Sequence, residues 1–245
     1  MAPVTSNSNS NSDAATLHCI FDPLCGWCYA AAPLVEAART VPGLRVELHA
    51  GGMMPGANRR PITPQWRDYV IPHDRRIAEL TGQPFGEAYF EGLLRDTGAV
   101  MDSEPPITAI LAAESLRAGG GLDMAHRVQQ AHYVEGRRIA EAGVLAELAV
   151  ELGFDADAFA TAFQQHTGDA TAQHIAACRD LLQRAGGQGF PTFVLAQADG
   201  SAGRIDIGPW LGRADDWKAQ LAAFVVPAPS AAAAPQACGP DGCAI

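Results

Sequence analysis

The sequence predicts an α/β fold in which a mixed β-sheet carries a large all-helical insertion. Apolar runs typical of strands occur near both ends of the chain, at residues 17–21 and 190–195, whereas residues 64–187 show mainly helical periodicity. A strand–helix–strand start favours a parallel pair, and a hairpin near the end adds antiparallel strands. The 245 residues, 48% of them hydrophobic and 18% charged, suffice for one large domain with an insertion.

The first predicted elements are a buried strand, a helix and a second strand. Residues 17–21 form an apolar run, and apolar residues then continue over 26–40 as a helix. Pro33 lies inside that helix and should bend it, because proline removes one backbone donor. Residues 44–50 alternate between apolar and polar side chains, as a half-buried strand does, and the Gly-containing segment 51–56 is predicted to be a loop.

The middle of the chain is predicted to be helical, and its end to be a hairpin followed by a helix. Strand character returns at residues 190–195 and 204–207, and the short loop between them favours a hairpin. Pro209 is predicted to open the last helix, because proline favours the first helical position. The predicted helices span residues 66–80, 85–97, 106–118, 124–137, 144–152, 157–166, 170–185 and 210–225.

The two ends of the chain differ in composition from the rest. Residues 1–15 are polar and lack the basic and apolar regions of a secretory signal, so we expect a disordered leader on a cytoplasmic protein. Residues 227–245 read as a Pro- and Ala-rich flexible linker with a cysteine-containing tail. Between them, the sheet domain is predicted from residues 16–56 and 187–226, with the helical domain inserted at 57–186.

Charge and hydropathy exclude two classes of partner. The net charge of −10 argues against nucleic acid and against anionic membrane surfaces. No apolar run approaches the roughly 18 residues that a bilayer-spanning helix needs.

Cys25 and Cys28 lie at the predicted junction between the first strand and the first helix. The unpaired N–H groups of a first helical turn and the helix dipole favour negative charge there. We therefore expect the pKa of Cys25 to fall below that of a free cysteine, about 8.5. Cys28, one turn later, can reach the same sulfur, so the pair is predicted to exchange disulfides with other molecules.

A zinc site is the main alternative for this pair. Tetrahedral zinc needs two further ligands, and only His18 and Cys19 lie near in sequence, on the preceding strand and facing opposite ways. The histidines show no metal-binding pattern, so no metal site is predicted. Cys19 and Cys178 fall among apolar residues and are predicted to be buried. Asp22 is predicted to cap the helix rather than to transfer protons.

Cys238 and Cys243 bracket four turn-forming residues, so their sulfurs could come within bonding distance. Three interpretations remain open: a second redox pair that exchanges electrons with Cys25, a metal-binding tail, and an inert end. Residues 227–237, if extended, would reach roughly 34 Å, enough to touch the active site of the same chain. The redox relay is the favoured interpretation.

Four stretches, which together cover about residues 16–226, carry a family resemblance. They are Cys25-Gly26-Trp27-Cys28-Tyr29, a helical run over 136–155, Gly187-Gln188-Gly189-Phe190-Pro191-Thr192-Phe193, and the closing hairpin with its helix. With these stretches the chain resembles the DsbA-type thioredoxin fold, in which a helical domain is inserted into a thioredoxin scaffold. The resemblance is greatest to the cytoplasmic FrnE-like branch, whose members can carry a second Cys-x4-Cys motif, the spacing of Cys238 and Cys243.

The resemblance implies a cytoplasmic thiol–disulfide oxidoreductase, a disulfide isomerase or reductase acting on disulfide-containing proteins or small thiols. Cys25 would attack the substrate and Cys28 would resolve the mixed disulfide. Pro191 would follow a cis peptide bond beside the sulfurs, and the Phe190 backbone would bind an incoming peptide. Trp27, between the cysteines, is predicted to contact substrate. No cofactor is implied besides the cysteine pair, which a thiol donor such as the thioredoxin or glutathione system would reduce.

Two alternatives from other classes remain open. A DsbA-like domain can serve as a non-catalytic adaptor or redox-sensing regulator, which turnover of a model disulfide would distinguish from an enzyme. The same fold also carries glutathione-using isomerases of the kappa-class or hydroxychromene-carboxylate type. Those place a serine or a similar residue where Cys25 stands and do not need Cys28, so the intact pair counts against them.

Overall fold

A four-stranded sheet, built from both ends of the chain, organises the fold. The computed structural model describes residues 14–225, so the tail that carries Cys238 and Cys243 lies outside the described residues, as does the predicted leader up to residue 13. The strands are β1 (Ala15–Phe21), β2 (Leu44–Ala50), β5 (Thr192–Ala196) and β6 (Ala202–Ile205). Their order in the sheet is β2-β1-β5-β6. The pair β1–β2 is parallel and the hairpin β5–β6 is antiparallel, as predicted, and β1 also pairs antiparallel with β5.

The two faces of this sheet differ in chemistry. Leu17, Cys19 and Phe193 face one side, where they pack with α1 (Gly26–Arg39) and α8 (Ala214–Phe224). Because side chains alternate along a strand, His18 on β1 and Glu47 and His49 on β2 face the other side. Against β2 packs α7 (Asp169–Arg184), whose His174 accepts a hydrogen bond from the Ala50 N–H at 3.3 Å. One face is therefore apolar, and part of the other is polar.

The segment between β2 and β5 is mainly helical, as predicted. Its central helix, α3 (Glu104–Leu116), is buried around its circumference, with Ile107, Ala109 and Ala112 fully inaccessible, because it carries few polar side chains. Within residues 14–225, no helix is both long and apolar enough to cross a membrane. Besides α7, the helices are α2 (Pro64–Thr81), α3 (Glu104–Leu116), α4 (Gly120–Tyr133), α5 (Ala142–Glu151) and α6 (Ala156–His166).

The predicted helix at residues 85–97 is wrong. The chain instead forms a π-helical turn, Ala88–Gly92, followed by a 3-10 turn, Leu93–Arg95. Gly92, at the junction, has φ −102° and ψ −85°, outside helical values, and glycine is a poor helix former. The apolar spacing of this segment predicts a continuous helix, and that spacing carries no sign of the break at Gly92.

Other differences concern element ends and short strands. The last helix begins at Ala214 rather than at residue 210, because Gly208–Trp210 forms a 3-10 turn and Gly212 has φ +77°, which interrupts an α-helix. Ala15, assigned from sequence to the leader, pairs with Leu44. The pair β3 (Arg60–Pro61) and β4 (Val100–Met101) was not predicted, because two residues are too few to show periodicity.

Candidate active site

Cys25 occupies the N-cap of α1, and Cys28 lies one turn further on. β1 leads into a tight turn in which the Cys25 N–H donates to the Asp22 carbonyl at 3.2 Å. The N–H groups of Cys28 and Tyr29 donate to the Cys25 carbonyl at 2.9 and 3.0 Å, which starts the helix. Both cysteines are free thiols and almost inaccessible, with 7% of Cys25 and 4% of Cys28 exposed. The strand–helix junction predicted from sequence is therefore present.

The two thiols differ in acidity. A hydrogen bond from the Cys28 thiol, together with the N–H groups of Cys28 and Trp27, lowers the pKa of Cys25 against the opposing effects of burial and of Asp22. Burial raises the pKa of Cys28 well above its usual value, and the hydrogen bond to Cys25 and the Cys25 charge raise it further. Cys25 is therefore the stronger thiolate candidate, and Cys28 holds its proton.

Asp22 is a fully buried carboxylate that ties the end of β1 to the loop after β2. It accepts hydrogen bonds from the Leu24 N–H at 2.8 Å and from the Met53 N–H at 2.5 Å. Its own N–H donates to Cys28 Sγ at 3.4 Å. Burial raises the pKa of Asp22, whereas these hydrogen bonds lower it. The predicted helix cap is thus wrong, because Cys25 holds the N-cap position and the carboxylate turns to Met53.

Phe190 and Pro191 reach the cysteines from the distant end of the chain. The Phe190–Pro191 peptide bond is cis, as the resemblance implied. Cys25 Sγ lies 3.5 Å from the Phe190 carbonyl oxygen, and Pro191 lines a small cavity together with Cys28. The Phe190 ring lies over Gly51, where an added Cβ would come within 2.6 Å of it.

An open groove of about 990 Å³ lies in front of Cys25. Half-buried Trp27 lies on its wall, as do Met53 and Met54. Arg60 stacks its guanidinium over the Trp66 ring, 4.7 Å from the ring centre, so the groove combines aromatic surface with positive charge. Other groups that line it are Arg59, Tyr69, His73, Tyr89 and Tyr133.

Asp74 is a groove residue that sequence reasoning missed. It lies on α2, is 5% exposed, and accepts a hydrogen bond from the Tyr89 hydroxyl at 2.8 Å. A Cβ added to Gly26 would lie 2.7 Å from its Oδ1, so the carboxyl packs directly on the turn between the cysteines. Burial raises the pKa of Asp74 to about 6. Its sequence neighbours are polar, so no pattern marks it.

The remaining cysteines divide into two groups. Cys19 and Cys178 are buried, as predicted, and burial raises the pKa of both, to about 12 for Cys178. Cys238 and Cys243 lie outside residues 14–225. Of the site residues predicted from sequence, the structure therefore brings five together, namely Cys25, Cys28, Trp27, Phe190 and Pro191.

Similarity to known proteins agrees with this geometry. The family model of the DSBA-like thioredoxin domain matches residues 16–212. The cytosolic disulfide reductase DsbM from Pseudomonas aeruginosa is 55% identical, with a TM-score of 0.80 over 85% of this chain and 98% of DsbM. A structure of DsbM with GSH gives 53% identity and a TM-score of 0.79 over the same shares of the two chains.

A more distant structure, a candidate protein disulfide isomerase from Nitrosomonas europaea, is 27% identical, with a TM-score of 0.70 over 86% of this chain and 97% of that one. A 2-hydroxychromene-2-carboxylate isomerase shares the fold alone, at 17% identity and a TM-score of 0.53, covering 85% of this chain and 98% of its own. No curated protein sequence matches the chain.

Proposed function

Because this chain belongs to the DSBA-like thioredoxin family and is a thiol–disulfide oxidoreductase, we propose that Cys25 and Cys28 are its redox pair and that it works as a cytoplasmic disulfide reductase. The observation that carries the proposal is the position of Cys25 at the N-cap of α1, with Cys28 one turn further on. The directions of the pKa shifts agree with it, lowered for Cys25 and raised for Cys28. A nucleophile needs a thiolate, and a resolving thiol must stay protonated until the mixed disulfide has formed. The reductase direction is supported by the 55% identity to DsbM, which is a cytosolic disulfide reductase.

The proposed cycle begins when the Cys25 thiolate attacks one sulfur of a substrate disulfide. A Cys25–substrate bond forms, the substrate S–S bond breaks, and the leaving sulfur takes a proton from solvent. Cys28 then gives up its proton and attacks Cys25 Sγ, which forms the Cys25–Cys28 disulfide and releases the second substrate thiol. Two electrons have passed to the substrate. Without the Cys28 step, the same mixed disulfide rearranges substrate disulfides, as in an isomerase.

Glutathione is the proposed electron donor. One glutathione thiolate would open the Cys25–Cys28 disulfide, and a second would displace it from Cys25 as glutathione disulfide. The groove supports this choice, because Arg59 and Arg60 supply positive charge for the two carboxylates of glutathione. The structure of DsbM with GSH gives a precedent in a relative.

Trp27, Phe190 and Pro191 are proposed to hold the substrate. Trp27 offers an aromatic wall beside the cysteines, and the Phe190 backbone lies within contact of Cys25 Sγ. An extended peptide or glutathione in the groove would therefore place its sulfur between these residues.

Substitution of the two cysteines tests the assignment. We expect Cys25→Ser to abolish glutathione-dependent reduction of insulin and of a small-molecule disulfide. Cys28→Ser should accumulate a mixed disulfide, visible by intact-mass spectrometry, because Cys28 can no longer attack Cys25. Cys178→Ser, at a cysteine that does not line the groove, is the matched control and should turn over normally. Turnover by Cys25→Ser would contradict the proposal.

Cys238 and Cys243 are proposed to act as a second redox pair. The last described residue, Val225, lies 3.5 Å from a Cβ built on Gly43, the residue before β2, whereas the far end of β2 leads to the groove. The seven residues of β2 span about 23 Å, and an extended 227–237 segment would reach roughly 34 Å. The tail is therefore long enough to return to Cys25.

A further inference from the structure

Three metal-ligating side chains meet on the polar face of the sheet, away from the groove. His18 on β1 is the direct register partner of Glu47 on parallel β2, and His49 is the next residue of β2 on the same face. Their ligand atoms all lie within 4.8 Å of one another. Sequence reasoning did not predict this cluster, because 31 residues separate the two histidines and only strand register joins them.

The distances within the cluster suit a metal ion. His18 Nδ1 lies 2.9 Å from His49 Nε2 and 3.3 Å from Glu47 Oε2, and His49 Nε2 lies 3.8 Å from that oxygen. A point equidistant from the three atoms lies about 2.0 Å from each, which matches zinc bonds to imidazole nitrogen and carboxylate oxygen of about 2.0–2.2 Å. Tetrahedral coordination at that bond length separates ligand atoms by roughly 3.3 Å. The two nitrogens would therefore move apart, and His49 Nε2 would approach Glu47 Oε2, each by about 0.5 Å.

A neighbouring charge holds the carboxylate in place. Arg45, two residues before Glu47 on the same face, has its Nη2 2.9 Å from Glu47 Oε1. That ion pair occupies one carboxylate oxygen and leaves Oε2 directed at the two imidazoles. Outer contacts of this kind orient the ligands of metal sites.

The cluster is open to solution. The side chains of His18, Glu47 and His49 are 23%, 34% and 21% exposed. An ion can therefore enter, and it can keep a water molecule at a fourth position, as zinc does in sites with three protein ligands.

We propose that His18, Glu47 and His49 bind one divalent transition-metal ion of the zinc class. Two imidazoles and one carboxylate are donors that zinc accepts, whereas Mg²⁺ and Ca²⁺ take oxygen ligands. Binding requires both facing nitrogens to be unprotonated, so any proton between the rings moves to the outer nitrogen of its ring. The ion would join β1 to β2 on the sheet face that is opposite the α1 side.

The test must keep the redox cysteines from binding zinc. The full-length chain, free of any polyhistidine tag, is prepared with Cys25, Cys28, Cys238 and Cys243 all replaced by serine. Zn²⁺ is titrated by calorimetry, and Co²⁺ is added as a spectroscopic probe of the ligands. We expect one ion per chain, a Co²⁺ spectrum without sulfur-to-metal charge transfer, and a Tm that rises with Zn²⁺.

Substitutions then locate the site. In the same background, His18→Ala and Glu47→Gln should each weaken Zn²⁺ binding at least about tenfold, since even outer-contact changes cost that much. His166→Ala, at a histidine outside the cluster, should leave the Zn²⁺ affinity unchanged. Arg45→Met keeps every ligand and should weaken binding by about tenfold. Circular dichroism without metal checks that each variant is folded.

Two results would overturn the proposal. One is the absence of saturable Zn²⁺ binding in the serine background, which would make the cluster a hydrogen-bonded triad only. The other is equal affinity in the parent, His18→Ala and Glu47→Gln chains, which would place any bound ion elsewhere.

Discussion

At the scale of single residues, the active site depends on buried groups whose ionisation is set by their surroundings. Cys25 and Cys28 were predictable, because the apolar strand, the Cys-x-x-Cys spacing and the following helix are all local signals. Asp74 was not, because only the packing of α2 on Gly26 brings it to the cysteines. The position of Phe190 and Pro191 beside Cys25 was implied by the family resemblance and not by their own sequence pattern.

The raised pKa of Asp74 predicts that the stability of the fold depends on pH. The pKa of this carboxyl is raised to about 6 in the folded chain, above the usual 3.8, so its stabilising contribution is full below the unfolded pKa and is lost as pH rises through 6. Asp74→Asn keeps an acceptor for Tyr89 and removes the charge. We expect its free energy of unfolding, relative to wild type, to increase between about pH 4 and pH 7 by up to about 3 kcal/mol.

Urea unfolding of both proteins across that pH range measures the effect. Asp68→Asn, on the exposed side of the same helix, is the matched control and should follow the wild-type curve. Parallel curves for Asp74→Asn and wild type would show that the buried carboxyl does not titrate in this range.

At the scale of elements, α7 holds the loop that follows β2 against the active site. Arg179 donates from Nε to the Gly51 carbonyl at 2.8 Å and from Nη2 to the Gly52 carbonyl. Both glycines are buried, and Gly51 lies beneath the Phe190 ring. The sequence predicted this helix and this loop, but not their contact, because a single arginine among polar residues does not indicate its partner.

Replacement of Arg179 should loosen that loop. Arg179→Met removes two charge-assisted hydrogen bonds and leaves two buried carbonyl oxygens without them. We expect a loss of about 2–4 kcal/mol in the free energy of unfolding, measured by urea denaturation. Arg184→Met, at an exposed arginine of the same helix, is the control and should cost less than about 0.5 kcal/mol. Equal losses in the two variants would mean that the carbonyl contacts contribute nothing specific.

At the scale of the whole molecule, the sheet is completed only when the two ends of the chain meet. β1 lies between β2 and β5, so the strand that leads to Cys25 is fixed by residues nearly 180 positions away, such as Phe193 opposite Cys19. Composition and element order predicted this mixed sheet. The strand register and the groove could not be predicted from sequence, because both depend on contacts between residues that are far apart along the chain.

If Cys238 and Cys243 form a redox relay, their loss should lower the rate of multiple turnover but not the rate of a single turnover. Glutathione can reduce the Cys25–Cys28 disulfide without the tail, so the relay is tested with a protein donor such as thioredoxin and its reductase. With that donor, we expect Cys238→Ser/Cys243→Ser to slow steady-state reduction. Pre-reduced variant should still reduce one equivalent of substrate at the wild-type rate, because Cys25 and Cys28 are unchanged. Stopped-flow and steady-state assays compare the two rates. Unchanged steady-state turnover would remove the relay and leave an inert or metal-binding tail.

The depth of the sulfurs has a consequence for which disulfides are reduced. Only 7% of Cys25 and 4% of Cys28 are exposed, and Cys25 opens onto a walled groove. We therefore expect a disulfide on the flat surface of a rigid folded protein to reach Cys25 less readily than one on a loose strand or in a molecule the size of glutathione. Steric access to the sulfur, more than the energy of the S–S bond, would then select the substrates.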